Sequence, residues 1–135
     1  MDNCIFCKII NKEIPANIIA ENDTAIAFLD INPSSDGEVL VISKKHYSNL
    51  QDTPTETLKD VMSLTHKVVG MLDLSLKPIG YNYTSNQGEA AGQIIDHFHL
   101  HIIPKYDVNE GYKGTVVNKN IRPIDEIFKI IKSNN

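Results

Sequence analysis

The chain has 135 residues, of which 41% are hydrophobic and 22% charged, and its formal net charge is −4. This length suits one globular domain, expected to span residues 1–135, and the absence of a basic stripe argues against a nucleic-acid partner. No apolar run reaches signal-peptide or membrane-spanning length, so we expect a cytoplasmic protein without a membrane partner.

The first predicted element is a short helix over CIFCKIINKE, where the apolar residues have helical spacing, and Pro15 should end it. This segment contains the two cysteines of the chain, Cys4 and Cys7. A Cys-x-x-Cys pair in a reducing compartment indicates metal ligation or redox chemistry. Because a redox pair usually follows a strand and no strand precedes this one, we favour half of a zinc site. The alternative is an incidental pair of small buried residues.

Strands are predicted in four later segments. Residues 17–30 predict two short strands joined at an Asn-Asp turn, and residues 38–43 predict a strand rich in β-branched side chains. Residues 80–86 predict another strand. The last begins at His97, and Pro104 should close it.

Two further helices are predicted. Thr53 should be the N-cap of the first, with Pro54 at the first helical position and Glu56 closing a capping box. Apolar residues then recur every 3.6 residues, which predicts one long amphipathic helix to about Asp73. The segment 123–133 predicts a C-terminal helix after an irregular stretch. Strands arranged around one long helix indicate an α+β domain with a largely antiparallel sheet.

The segment HFHLHIIPK contains a row of three histidines at every second position. Side chains alternate between the two faces of a strand, so the intervening apolar residues should face the core while the histidines face a cleft. The histidines are His97, His99 and His101, and the apolar residues are Phe98, Leu100 and Ile102.

Three interpretations of this row are open. The histidines are polar residues on a solvent face, they share one metal ion, or they divide a catalytic task. The outer two lie ~13 Å apart along a strand, whereas metal–nitrogen bonds are ~2.1 Å long, so two but not three of them fit one ion without strong bending. In the third interpretation one imidazole attacks phosphorus while a neighbour donates or moves a proton.

The preceding loop supports phosphate chemistry. Asn86, Gly88 and Gly92 are small residues that let a backbone approach a ligand closely and turn N–H groups toward anionic oxygens. A Gly-containing turn alone is a weak signal, but it gains weight directly before a histidine row.

The motif HFHLHII resembles the signature of the histidine triad family of nucleotide hydrolases and transferases. The segments CIFCKIINKEIPA, AFLDINP, LVISKKH and GQIIDHFHLHIIPKY are similar to the corresponding family segments, and the similarity weakens after about Tyr106. The chain is most similar to bacterial phosphoramidase-type members. The resemblance implies a five-stranded, mainly antiparallel sheet with one long central helix, and a homodimer in which the sheet continues across the two-fold axis.

The resemblance also implies a reaction at the α-phosphate of nucleoside phosphoramidates or related nucleotides. His99 would be the nucleophile that forms a covalent nucleotidyl-histidine, and His101 would contact the same phosphate and help to move a proton. Asn86 and Gly92 would line the phosphate, and Asp30 would bind the ribose hydroxyls. The apolar pocket for the base, expected to be a purine, matches Ile5, Phe6, Ile9, Phe28 and Ile31.

Some bacterial members of the family have a structural zinc site, and its ligands match Cys4, Cys7, His46 and His97. This Cys₂His₂ set suits tetrahedral zinc, and it would give the first histidine of the row a task of its own. The remaining histidine, His66, lies at the border of the long helix's apolar stripe and is expected at the surface.

Two positions depart from the family pattern. Glu38 stands where the family often has histidine, and it either raises the pKa of a triad histidine or faces water. Ile94 stands where several members have a serine that assists departure of the amine, and it cannot donate a proton. Two alternatives stay open. One is a dinucleoside polyphosphate hydrolase with the same His99 chemistry and a larger leaving group, and the other is a nucleotide-binding module with weak turnover, which these two departures motivate.

Overall fold

A computed structural model describes residues 3–135, and Met1 and Asp2 of the expected domain lie outside the described residues. Five strands form one antiparallel sheet in the order β1-β2-β3-β5-β4. This confirms the predicted α+β class. The elements are α1 (Ile5–Ile10), β1 (Ile18–Glu21), β2 (Ala25–Leu29), β3 (Val39–Ser43), α2 (Thr55–Ser75), β4 (Gly80–Thr84), β5 (His99–Lys105) and α3 (Ile124–Ser133).

The central strands β2 and β3 are buried on both faces. Alternate side chains of each strand point to opposite faces, so the two strands contribute to two cores. One core lies under α2 and includes Val39, Val41 and Ile102. The other lies under α1, where Phe6 packs with Leu40 and its neighbours. The histidine row shares the α1 face, because His101 pairs with Leu40 across the sheet.

The prediction for the start of α2 is wrong by one residue, because the N-cap is Pro54 and not Thr53. The helix begins at Thr55, its N-cap is Pro54, and no side chain caps it. The predicted N-cap, Thr53, is buried and donates its hydroxyl to the carbonyl oxygen of Asn49 at 2.7 Å. The preceding turn thus holds the Thr53 side chain, which makes no bond to the first N–H groups of the helix.

The predicted last strand differs at both ends. It begins at His99, because Phe98 donates its N–H to the carbonyl of Tyr47 outside the sheet and His97 lies in the loop before it. It continues through Pro104, which pairs with Tyr81 of β4. On its other side β5 pairs with β3 only as far as Ile102, so a residue without an N–H is tolerated there.

The C-terminal helix α3 forms as predicted, and none of its residues is buried. The stretch before it lacks helices and strands, as expected. Across residues 3–135, no helix combines the length and the apolarity that a membrane crossing requires.

Candidate active site

His99 is the first residue of β5, and its ring is held in one tautomer. Its Nδ1 lies 2.7 Å from the carbonyl oxygen of His97. A carbonyl oxygen can only accept, so Nδ1 carries the proton and Nε2 keeps its lone pair. Burial lowers the pKa of His99 below its ordinary value, and the nearby His101 acts in the same direction. The imidazole therefore stays neutral at neutral pH, as a nucleophile requires.

His101 is held by a carboxylate instead. Its Nδ1 lies 3.0 Å from Oε2 of Glu38, and the ring centroids of His99 and His101 are 5.1 Å apart. Glu38 is only 4% exposed. Of the two interpretations of Glu38, the one in which it faces water is therefore excluded.

These two histidines line a cleft of about 450 Å³ between the sheet, α1 and the loop before β5. All the residues that the sequence predicts for nucleotide binding line the same cleft, although their individual roles stay predictions. They are Ile5, Phe6, Ile9, Phe28, Asp30, Ile31, Asn86, Gly92, His99 and His101.

The loop before β5 gives the cleft a polar wall. Gly92 has φ +91°, a left-handed conformation that favours glycine, and a Cβ there would lie 3.4 Å from Nδ2 of Asn86. Gln93 holds the loop: its Oε1 accepts the N–H of Gly88 at 2.9 Å and its Nε2 donates to the carbonyl of Ser48 at 2.6 Å. These contacts fix where Asn86 and Gly92 meet the cleft.

Asp30 follows β2 and lies at the end of the cleft nearest Glu38. Its N–H donates to the carbonyl of Glu38 at 2.9 Å, and its Oδ1 accepts the N–H of Asn32 at 2.9 Å. A side chain fixed in this way keeps its second carboxylate oxygen available for a hydroxyl donor. Next to it, Ile31 is 83% exposed and forms the rim of the cleft, not its floor.

The predicted metal ligands form a second cluster, at the N-terminal end of α1. Cys4, Cys7, His46 and His97 each bring one ligand atom to within 4.8 Å of the others. Cys4 Sγ lies 3.3 Å from His97 Nδ1, and Cys7 Sγ lies 3.3 Å from His46 Nδ1. Ligands on a tetrahedral zinc ion, with bonds of 2.0–2.3 Å, are separated by about 3.5 Å. The spacing and the donor set therefore fit zinc.

The orientation of His97 also fits a metal ligand. Its Nε2 lies 2.7 Å from the carbonyl oxygen of Ser43, so Nε2 carries the proton and the bare Nδ1 faces the sulfur atoms. A ligating histidine usually makes such a bond with its other nitrogen. Burial lowers the pKa of His97 to about 4, and burial together with Cys4 raises the pKa of the Cys7 thiol to about 11. Both cysteines are free.

Comparison with known proteins identifies the family. The family model described as HIT domain matches residues 11–108 of the chain. The chain belongs to the HIT domain family. A crystal structure of a HIT family protein from Bacillus anthracis superposes with a TM-score of 0.89 at 35% identity, covering 98% of this chain and 94% of that one.

Two relatives are similar to this HIT protein over most of its length. An uncharacterised HIT-like protein of Methanocaldococcus jannaschii is 44% identical over 133 residues, which cover 96% of this chain and 98% of that protein. An adenosine 5′-monophosphoramidase of Saccharomyces cerevisiae is 42% identical over 108 residues, which cover 80% of this chain and 66% of the yeast protein.

Sequence reasoning missed several residues of the cleft in this HIT protein. Leu40 lines it, and the alternation of β3 was a signal that could have placed Leu40 beside the histidine row. Gln93 holds the loop, but no sequence pattern indicated this role. Ile94, which the sequence analysis singled out, is 94% exposed at the rim of the cleft. His66 is exposed on α2, as expected.

Proposed function

We propose that this HIT protein hydrolyses or transfers a nucleoside 5′-monophosphoryl group through a covalent nucleotidyl-His99. The observation that carries the proposal is the hydrogen bond from His99 Nδ1 to the His97 carbonyl, because it leaves the Nε2 lone pair on an imidazole that lines the cleft. A neutral, oriented imidazole can attack phosphorus. The yeast relative named as a phosphoramidase supports a nucleoside phosphoramidate as substrate.

The reaction has two displacements at the α-phosphorus. In the first, a bond forms between His99 Nε2 and phosphorus while the bond to the leaving group breaks, and the leaving group keeps the electron pair and takes a proton from His101. In the second, a water oxygen bonds to phosphorus, His99 leaves with its electron pair, and the water proton returns to His101. Splitting one hard step into two lowers the barrier.

The remaining cleft residues bind the nucleotide in this proposal. Asp30 accepts hydrogen bonds from the ribose hydroxyls, and the loop at Asn86 and Gly92 lines the phosphate. The purine base packs between apolar side chains of α1 and β2, where Phe6 and Phe28 meet edge to face at 5.7 Å. The small-molecule partner is thus a nucleotide.

We propose that the Cys₂His₂ cluster holds a structural zinc ion. Zinc there would tie α1 to the loops that carry His46 and His97, and so fix one wall of the nucleotide cleft. The support is the ligand spacing and the Ser43 carbonyl that orients His97. Metal analysis of freshly purified protein that has not met a chelator should give one zinc per chain, and a metal-free preparation would contradict the proposal.

We also propose a homodimer formed at β4. This strand is at the edge of the sheet, and its Tyr83 is 51% exposed, so a second copy could continue the sheet there. Sedimentation at micromolar concentration should give about twice the 15.1 kDa chain mass. Tyr83→Lys should shift the protein toward monomer, and Tyr112→Lys in an exposed loop should not. A wild-type protein that sediments as a monomer would refute the dimer.

The catalytic proposal is tested by His99→Ala, with the exposed His66→Ala as a matched control. His99→Ala should abolish turnover of an adenosine phosphoramidate. It should leave the affinity for AMP within about tenfold, or ~1.4 kcal/mol, because Asp30 and the apolar pocket remain. Mass spectrometry of a quenched wild-type reaction should place the nucleotidyl adduct on His99.

The same experiment separates the alternatives. An adduct on His97 or His101, or more than a few per cent of activity in His99→Ala, would refute the assignment. Faster turnover of dinucleoside polyphosphates than of phosphoramidates would favour a dinucleoside polyphosphate hydrolase. Tight AMP binding with negligible turnover of both substrates would favour a binding module, for which Glu38 and the exposed Ile94 are the motivating features.

A further inference from the structure

Glu38 is a buried carboxylate whose two oxygens both accept hydrogen bonds. Oε1 accepts the backbone N–H of Ser34 at 2.7 Å, and Oε2 accepts from Nδ1 of His101 at 3.0 Å. The residue lies directly before β3, on the face that carries Leu40. A buried charge is costly unless it is paired and hydrogen-bonded, so these two contacts define its position.

The charged and titratable groups that face this pair are few. Asp30 and Glu38 both lie within 4.8 Å of the His101 nitrogen, and the ring of His99 stacks edge to face at 5.1 Å. Burial raises the pKa of Glu38, but the hydrogen bonds from Ser34 and His101 outweigh burial, and the pKa is lowered. Glu38 is therefore a carboxylate at neutral pH.

We propose that Glu38 is a positioning residue that fixes the Nδ1–H tautomer of His101 and stabilises its imidazolium. The proposal rests on the nucleotidyl-transfer function above and deepens it. With Nδ1–H bound to Glu38, Nε2 of His101 is the atom that exchanges a proton in the cleft. Ile94 cannot supply a proton, so this chain relies on the Glu38–His101 pair to protonate the leaving group.

The chemistry at Ser34 makes Glu38→Gln a sharp probe. The Ser34 N–H is a fixed backbone donor, so the oxygen of the glutamine must accept it and the NH₂ group must then face His101. An NH₂ group donates to Nδ1, which forces the proton of a neutral His101 onto Nε2. The substitution keeps the size of the side chain and inverts the tautomer.

The direct test is nitrogen-15 NMR of histidine-labelled protein at alkaline pH, where the neutral tautomers are read from the ring nitrogen shifts. The His101 signals are assigned by their loss in His101→Gln. We expect the Nδ1–H tautomer in wild type, the Nε2–H tautomer in Glu38→Gln, and the wild-type pattern in Glu56→Gln, an exposed control on α2. The same His101 tautomer in wild type and Glu38→Gln would overturn the proposal. This measurement needs no substrate, so it is independent of the proposed function.

The kinetic test compares two leaving groups, an alkyl amine and an aryl oxide of low pKa, released from the same nucleoside monophosphate. A positioned acid contributes ~10²–10⁴-fold and matters most for the amine. In Glu38→Gln we expect release of the amine in the first turnover to slow at least tenfold more than release of the aryl oxide, with KM within about threefold. Equal slowing of both would indicate a merely structural role and overturn the proposal. A missing nucleotidyl adduct in wild type would instead refute the proposed function.

Discussion

The two ends of the histidine row carry the same side chain in opposite environments. His97, at the inner end, is fully buried and binds the neutral carbonyl of Ser43 through Nε2. His101, at the outer end, is partly exposed and binds the carboxylate of Glu38 through Nδ1. The inner ring turns its bare nitrogen toward two sulfur atoms, and the outer ring lines the cleft.

This difference teaches that burial and the acceptor on the far nitrogen together decide what an imidazole can do. A carbonyl orients the ring and fixes its tautomer, while burial lowers the pKa of His97 and of His99, so their lone pairs can bind a metal or attack phosphorus. A carboxylate orients the ring and also favours its cation, which suits proton transfer. His99 shares the carbonyl type of partner with His97, which agrees with its proposed role as nucleophile.

The largest effect is expected at the inner end of the row, where His97 meets the two cysteines. Cys4→Ala removes a proposed zinc ligand, and a metal present at 100 times its Kd stabilises the folded state by about 2.7 kcal/mol. We expect the Tm to fall by roughly 10 °C, while turnover below the melting range changes less. Thermal denaturation with zinc and with chelator measures this effect. Lys8→Ala, on the same helix, should keep the wild-type Tm, and a Cys4→Ala protein as stable as wild type would refute the structural zinc.

The next largest effect is expected at the outer end of the row, at His101. His101→Ala removes the proposed proton donor and acceptor but keeps the nucleophile, so kcat should fall about 10²-fold and the nucleotidyl adduct should accumulate. Quench-flow with mass spectrometry measures both, and His66→Ala is the control. An unchanged kcat in His101→Ala would refute the proton-transfer role that distinguishes His101 from His97.

Much of this arrangement was predictable from local patterns. The alternation of HFHLHII placed the apolar residues against the core under α2, and Phe98 and Ile102 lie there. The 3.6-residue period predicted α2, and the Asn-Asp pair predicted the first hairpin. These features depend on side-chain periodicity along one segment, which a sequence displays directly.

The features that were not predicted depend on contacts between distant segments. Thr53 forms no cap because its hydrogen bond to the Asn49 carbonyl holds the side chain in the preceding turn. His97 lies outside β5 because Phe98 bonds to Tyr47. The partner of Glu38 stayed open because 63 residues separate it from His101 and only the sheet register brings them together.

A smaller effect should sharpen the role of the outer end. Ile94→Ser places a hydroxyl at the rim of the cleft, where it can pass a proton to an amine leaving group. Alkyl amines should then be released up to about tenfold faster. The difference in release rate between alkyl amines and leaving groups of low pKa should therefore narrow. The matched control Ile94→Ala should leave this difference in release rate unchanged. An unchanged difference in Ile94→Ser would show that His101 already delivers the proton directly.

The smallest effect concerns the pH dependence of stability at the outer end. Burial raises the pKa of Glu38 in the folded protein, but the hydrogen bonds from Ser34 and His101 outweigh burial and lower the pKa below its ordinary value of 4.5. A carboxyl with a lowered folded pKa stabilises the protein above its unfolded pKa, and this contribution is lost as the pH falls through the folded pKa. The difference in unfolding free energy between wild type and Glu38→Gln should therefore shrink as the pH falls from about 5 toward 3. Urea titrations at several pH values measure it, and the exposed Glu56→Gln should show no such trend. A difference that stays constant or grows toward pH 3 would mean that the folded state does not favour the Glu38 carboxylate, and the contrast between the two ends of the row would lose its electrostatic basis.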